Sequence, residues 1–322
     1  MAVYTKLSET DLKEFFSKYS VGKVQKHEEI KEGIENTNYF IQTEKGKFIL
    51  TLYEKRVDEK DLPFFIGLMR NLFDKKFPSP EPIINKNGNY ISEISNKKAA
   101  VVSFLDGKAK QVLNPLDCYE VGVYAAKLHS ITKNLISKRK NKLSVNSWRE
   151  IYNRVKKDCC KIHPNLSNVI EKNLNEIEID WPKNIPSGII HADLFPDNIF
   201  FNKNKLSGII DFYFSCNDYY AFEIAICLNA LCFEGKNENL SFNVTKAKKF
   251  IDGYSSVRIL TDDEKKSLKV LCKGAAIRFL LTRVFDYLNL IEGALVKIKD
   301  PIEYLKRLEF HESVKNYNDY FF

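Results

Sequence analysis

One strand–turn–strand unit stands alone in a long helical stretch. Between residues 114 and 316, apolar residues recur with helical spacing over roughly 115–129, 147–160, 166–178, 220–234, 244–254, 262–290 and 301–316. The block 188–214 breaks that rhythm with two short apolar runs, 199–201 and 206–210, joined by Asn202-Lys203-Asn204-Lys205. Polar residues crowd both flanks. His191-Ala192-Asp193-Leu194-Phe195-Pro196-Asp197-Asn198 leads into the first run, and Asp211-Phe212-Tyr213 follows the second. A hairpin returns on itself, so the entry to its first strand and the exit from its second lie at one end. Asp193, Asn198 and Asp211 are therefore expected together. The plain alternative is a set of Asx turns around a hairpin.

The first hundred residues are built differently. Ser8-Glu9-Thr10-Asp11 opens like a capping box, and the helix it starts is expected to run to about Tyr19, with Gly22 just past its end. Segments 24–30, 37–43 and 47–53 read as strands, the last two forming a hairpin across Glu44-Lys45-Gly46. Asp58 caps a second helix to about Lys75, with Pro63 tolerated in its first turn; Pro78, Pro80 and Pro82 then end it. Segments 90–94 and 98–104 make another hairpin around Ser95-Asn96. The expected fold class is α+β with two lobes: a small β-rich lobe over 1–103, a link at 104–108 and a larger, mainly helical lobe over 109–322.

Composition narrows the function classes. A 44% hydrophobic and 13% aromatic content over 322 residues supports a sizeable core and excludes a mainly disordered chain. The net charge of +8 is scattered, without the basic block that a nucleic-acid binder concentrates on one element. No run approaches the ~20 apolar residues of a membrane span. Lys6, Glu9, Asp11, Lys13 and Glu14 interrupt any signal-peptide core. The expectation is a cytoplasmic protein with a small-molecule substrate and no nucleic-acid or membrane partner. Seven cysteines lack a C-x-x-C pair and read as reduced core thiols, and the five histidines are too dispersed for a metal cluster.

The string from His191 to Asn198 is H-x-D-x-x-x-x-N, the spacing of a kinase catalytic loop. Phosphoryl transfer needs this set. One carboxylate orients and deprotonates the attacking hydroxyl, while an amide oxygen and a second carboxylate hold Mg²⁺ against phosphate oxygens. Asp193 is read as the base, Asn198 and Asp211 as metal ligands, and His191 as a brace that holds the loop by hydrogen bonds.

At these residues the sequence resembles the aminoglycoside/choline-kinase group of phosphotransferases, two-lobed relatives of the protein kinases. The resemblance runs through Gly33–Phe40, Phe48–Glu54, His191–Phe201, Ser207–Phe214, Ala225–Asn229 and Arg278–Arg283 in order along almost the whole chain. The strings GIENTNYF and SGIIDFYF are the more specific signal, and they are similar to the homoserine kinases of that group. The resemblance implies a protein-kinase-like fold, ATP and Mg²⁺ as cofactors, and homoserine as the hydroxyl acceptor within threonine biosynthesis. Choline, ethanolamine, hydroxylysine or an aminoglycoside are the alternative acceptors, and a non-catalytic pseudokinase is a third reading.

The resemblance also implies that Gly33, Asn36 and Thr37 lie in a loop over the nucleotide phosphates. Ser103 to Leu105 matches the segment whose backbone reads adenine. Two departures stand out. The usual strand lysine is replaced by Thr51, with Lys47 and Lys55 on the same strand face as possible substitutes. Glu223 stands where an Asp is expected to brace the catalytic loop. Homoserine is a zwitterion, and Arg278 and Arg283 are the candidates for its carboxylate.

Overall fold

A computed structural model describes residues 5–30, 36–54, 57–236, 239–289 and 299–321. The chain divides into two compact units. The first gathers the described residues up to Gly107 together with Ser207–Tyr213, and the second gathers the described remainder from Lys108 onward.

In the first unit, helix α1 (Glu9–Ser17) starts at a reciprocal cap: Ser8 Oγ accepts the Asp11 N–H and the Asp11 carboxylate accepts the Ser8 N–H. Strands β1 (Val24–Ile30), β2 (Thr37–Thr43) and β3 (Gly46–Leu52) precede helix α2 (Leu62–Asp74), which carries Pro63 in its first turn. Strands β4 (Ile91–Ile94) and β5 (Lys97–Ser103) complete an antiparallel sheet of order β1-β2-β3-β5-β4. Ser95 and Asn96 both take positive φ, +49° and +58°, as a tight hairpin of right-handed twist requires. Alternation along β2 buries Tyr39 and Ile41, which meet Leu50 and Leu52 of β3 and Leu12, Phe15 and Phe16 of α1.

The second unit is mainly helical. Its elements run β6 (Lys108–Ala109), α3 (Pro115–Thr132), α4 (Val145–Val155), α5 (Leu166–Asp180), β7 (Ser187–Ile190) and β8 (Ile199–Asn202). Strand β9 (Lys205–Ile209) follows, and its residues from Ser207 onward are counted with the first unit. Then come β10 (Cys216–Tyr219), α6 (Tyr220–Leu231), β11 (Phe233–Glu234), β12 (Ser241–Phe242), α7 (Val244–Ser255), α8 (Asp262–Leu288) and α9 (Ile302–Ser313). Asn114 and Thr261 cap α3 and α8 with the same reciprocal bonds that open α1. Helix α6 is apolar all round, and Ile224 through Leu228 are all fully buried, so it forms the centre of the unit.

The expected helix at 147–160 is α-helical only to Val155 and continues as 3₁₀ turns over Lys156–Lys161. The pairing of β7 with β10 was not expected. Each strand has only four residues, and the partners are joined by the whole of residues 191–215.

Helices α3 and α7 approach through a glycine on each. A Cβ on Gly122 would sit 2.1 Å from the Phe250 carbonyl oxygen, and one on Gly253 would sit 2.1 Å from that of Tyr119. Gly122→Ala is therefore expected to force the helices apart at a cost of about 1–3 kcal/mol, although alanine favours an isolated helix. Urea unfolding measures it; an unchanged midpoint contradicts the close contact.

Candidate active site

Pairing of β7 with β10 sets Ile190 opposite Cys216, so the chain leaves the strand at His191 from a fixed point. His191 is fully buried, and its Nδ1 accepts the Asp193 N–H at 3.2 Å. That bond leaves the ring proton to Nε2 and makes His191 a support for the loop. Ala192 has φ +67°, a left-handed conformation that costs a residue with a Cβ about 1–2 kcal/mol.

Two buried charged groups hold it there. The Glu223 carboxylate, on the buried helix α6, accepts the N–H groups of both His191 and Ala192. The Arg278 guanidinium, on α8, donates to the Ala192 carbonyl at 2.7 Å. Ala192 is thus clamped at its donor and its acceptor, and the strain is absorbed one residue before Asp193. Glu223, the departure noted in the sequence, performs the bracing.

Asn198 completes the loop. Its Nδ2 donates to the Asp193 carbonyl oxygen at 2.9 Å and to Asp193 Oδ2 at 3.1 Å. Those two bonds decide which end of the amide faces Asp193, and they turn Asn198 Oδ1 away from it. Burial pushes the Asp193 carboxyl up to about 6; Asp197 adds to the push, while Arg278, Lys299 and Asn198 oppose it. A carboxylate poised near 6 suits general-base work close to neutral pH.

Burial also pushes Glu223 up to about 7, against its two backbone donors and Arg278. This value lies above the ordinary 4.5, so the folded chain holds the proton more tightly than the unfolded chain. The stability Glu223 contributes is fully present below pH 4.5 and is lost as pH rises through about 7. Glu223→Gln cannot titrate. The melting-temperature gap between wild type and this variant is expected to move against wild type as pH rises across that window. A constant gap contradicts the assignment.

Asp211 follows β9 with φ +64°, a conformation that Asp tolerates better than most residues, and belongs to the first unit. Asn198 Oδ1 and the Asp211 carboxylate are hard oxygen donors of the kind Mg²⁺ prefers. Among the described residues there is no cluster of three or more His, Cys, Asp or Glu side chains able to hold a metal ion.

The remaining predicted residues are placed as follows. Gly33 and Lys55 lie outside the described residues. Asn36 Oδ1 accepts the Glu54 N–H at 3.3 Å. The Thr37 hydroxyl donates to Glu54 Oε1 at 2.9 Å and accepts the Thr5 N–H at 3.2 Å. Glu54, also paired with Lys97, gathers these polar groups at one end of the sheet. Ser103 is paired with Glu81 through its N–H and its hydroxyl, whereas the Leu105 N–H has no backbone partner among the described residues.

Thr51 faces Asn38 across the β2–β3 ladder and donates to its Oδ1 at 2.7 Å. Lys47 lies 5.8 Å over the Phe104 ring. The two arginines point differently along α8. Arg278 is buried against the catalytic loop, and Arg283 donates to the Asp300 carbonyl at 2.7 Å and to Glu303 at 2.9 Å.

Comparison with known proteins bears on this arrangement. Residues 26–259 match the model of the phosphotransferase enzyme family. A homoserine kinase of Beijerinckia indica is 47% identical over 98% of this chain and 97% of its own length. One of Xanthobacter autotrophicus is 46% identical over 99% of both. Among solved structures, an amicoumacin kinase in complex with AMP-PNP, Ca²⁺ and Ami superposes with a TM-score of 0.70 at 14% identity, covering 97% of this chain and 95% of that one. A spectinomycin phosphotransferase in complex with ADP and spectinomycin gives 0.68 at 15% identity over 98% of both. These two establish the protein-kinase-like fold. No described helix is long and apolar enough to cross a membrane. A braced aspartate loop on a kinase-like fold, matched across nearly three-quarters of the sequence by one family, leaves one assignment: the chain belongs to the phosphotransferase enzyme family, and it is an enzyme.

Proposed function

We propose that the chain transfers the γ-phosphoryl group of ATP to the side-chain hydroxyl of L-homoserine, giving O-phospho-L-homoserine for threonine biosynthesis. The observation that carries the reading is end-to-end similarity to homoserine kinases at 46–47% identity. The reaction follows from the loop. Asp193 accepts the proton of the attacking hydroxyl as the bond to phosphorus forms and the bond to the ADP oxygen breaks. His191, Glu223 and Arg278 hold the Asp193 backbone, and the Asn198 amide fixes the carboxylate. Asn198 Oδ1 and Asp211 are the residues that would hold Mg²⁺, which when bound neutralises charge on the phosphate oxygens. The Leu105 N–H, with no backbone partner among the described residues, is available to the adenine edge.

Thr51 donates to Asn38 instead of carrying a cation, so Thr51→Val is expected to change kcat/KM for ATP by only a few-fold. A loss above about 100-fold, equivalent to a charge-assisted contact, would give Thr51 a direct role with phosphate. The acceptor is tested by ADP release with L-homoserine, choline, ethanolamine, hydroxylysine and kanamycin. L-Homoserine is expected to give the highest kcat/KM; a higher value for any other acceptor would overturn the reading.

A further inference from the structure

Helix α9 carries a buried cation that has no anionic partner among the described residues. Arg307 is only 9% exposed, and among the described residues no carboxylate lies within ion-pair distance of it. Its Nε is buried without a hydrogen-bond partner, and so are the Tyr304 hydroxyl and the Nε of Arg278. Buried polar atoms are almost always paired, so the unpaired Nε of Arg307, whose guanidinium lies over Tyr304, needs a reason. Arg307 stacks over Tyr304 at 4.4 Å and over Phe233 at 5.3 Å. Two ring faces compensate only part of the cost of removing a guanidinium from water.

Glu303, one turn before Arg307 on α9, is already taken: it pairs with Arg283 at 2.9 Å. Arg283 also lies over Tyr304, 4.5 Å from the ring, so the tyrosine meets two cations, of which Arg283 is paired with Glu303.

The cluster adjoins the catalytic loop. Phe195, two residues after Asp193, packs on Phe279 at 4.9 Å, and Phe279 packs on Tyr304 at 5.2 Å. Helix α9 also lies beyond residues 26–259, the span matched by the phosphotransferase family. Recognition of one acceptor is free to reside outside the span that the family shares.

We propose that Arg307, with the Tyr304 hydroxyl beside it, binds the carboxylate of the acceptor amino acid. The proposal rests on the homoserine reading and assigns the substrate's negative group. A planar guanidinium matches a carboxylate through two parallel N–H bonds, and a phenol adds a third donor. Arg278 and Arg283, the sequence candidates, are committed to the Ala192 carbonyl and to Asp300 and Glu303.

The test compares L-homoserine with L-homoserinol, which lacks the carboxylate, in wild type, Arg307→Met and Tyr304→Phe. Arg307→Met is expected to raise the KM for L-homoserine about 10- to 100-fold, with the KM for ATP within about two-fold of wild type. Tyr304→Phe is expected to raise it roughly 2- to 10-fold. Activity on L-homoserinol is expected to be poor in wild type and unaltered in both variants. Removing an unpaired buried charge relieves the free protein, so Arg307→Met is expected to melt no lower than wild type. An unchanged KM for L-homoserine in folded Arg307→Met overturns the assignment, as does an equal loss on both acceptors. If Arg307→Met does not fold, an unchanged KM in Tyr304→Phe overturns it. Wild-type turnover of L-homoserine in these cases leaves the homoserine reading standing. Turnover of a different acceptor with none of L-homoserine overturns that reading, and this assignment with it.

Discussion

Asp193→Asn is expected to lower kcat on L-homoserine by ~10²–10⁴, the range that a positioned general base supplies. The substitution is close to isosteric, and the new amide oxygen can still accept from Asn198 Nδ2, as Asp193 Oδ2 does at 3.1 Å. The loop backbone is held independently by Glu223 and Arg278, so the fold and the KM for ATP are expected to stay within about two-fold of wild type. What disappears is proton acceptance. Steady-state kinetics on the purified variant check this, and near-wild-type turnover would remove Asp193 from the mechanism.

Asp211→Asn is expected to be equally severe for a different reason. Asn adopts a left-handed backbone readily, so the φ of +64° at this position is retained while the charge is lost. A carboxylate that helps hold Mg²⁺ against phosphate oxygens contributes several kcal/mol of charge stabilisation, and its loss is expected to lower kcat by at least ~10². The variant is expected to need more Mg²⁺ for half-maximal activity. Calorimetry is expected to show only weak Mg²⁺ binding to wild type without nucleotide, since the donor set is too small for a cage. Full activity at ordinary Mg²⁺ would contradict the assignment of Asp211.

Much of the fold was legible because local signals agreed with one another. Ser8, Asn114 and Thr261 each begin a helix with a polar side chain that accepts an orphan N–H three residues on, a pattern fixed by residue type and spacing. Ser95-Asn96 sits between two apolar runs, and only a tight turn joins them. The pairing of β7 with β10 was not legible. Four-residue strands carry little periodicity, and their partnership depends on tertiary contacts across residues 191–215.

The candidate site divides in the same way. Asp193 and Asn198 were singled out by the spacing of the loop, and the structure brings the two side chains within 3.1 Å of each other. The role of Glu223 was visible only as a departure. Its extra methylene is accommodated because α6 is buried all round and delivers the carboxylate beneath residues 191 and 192. The strained φ of Ala192 has no sequence signature, since alanine is not a residue that marks left-handed backbone.

Arg278 was one of two candidates for a substrate carboxylate. In the folded chain it lies beneath the catalytic loop because its position on α8 faces the Ala192 carbonyl, a fact of packing and not of pattern. Arg307 gave no signal in the sequence. An arginine three residues after a tyrosine on an amphipathic helix is ordinary until the fold shows it buried with no carboxylate partner among the described residues.

The central claim is that a hydroxyl held near Asp193 receives the phosphoryl group and that the hydroxyl belongs to L-homoserine. Phosphorus NMR of the chain with ATP, Mg²⁺ and L-homoserine tests it most directly. The expected result is a phosphate monoester on the homoserine side-chain oxygen, formed in equal amount with ADP and lost in Asp193→Asn. ADP and inorganic phosphate without the monoester, or the same monoester formed at the same rate by Asp193→Asn, would contradict the account.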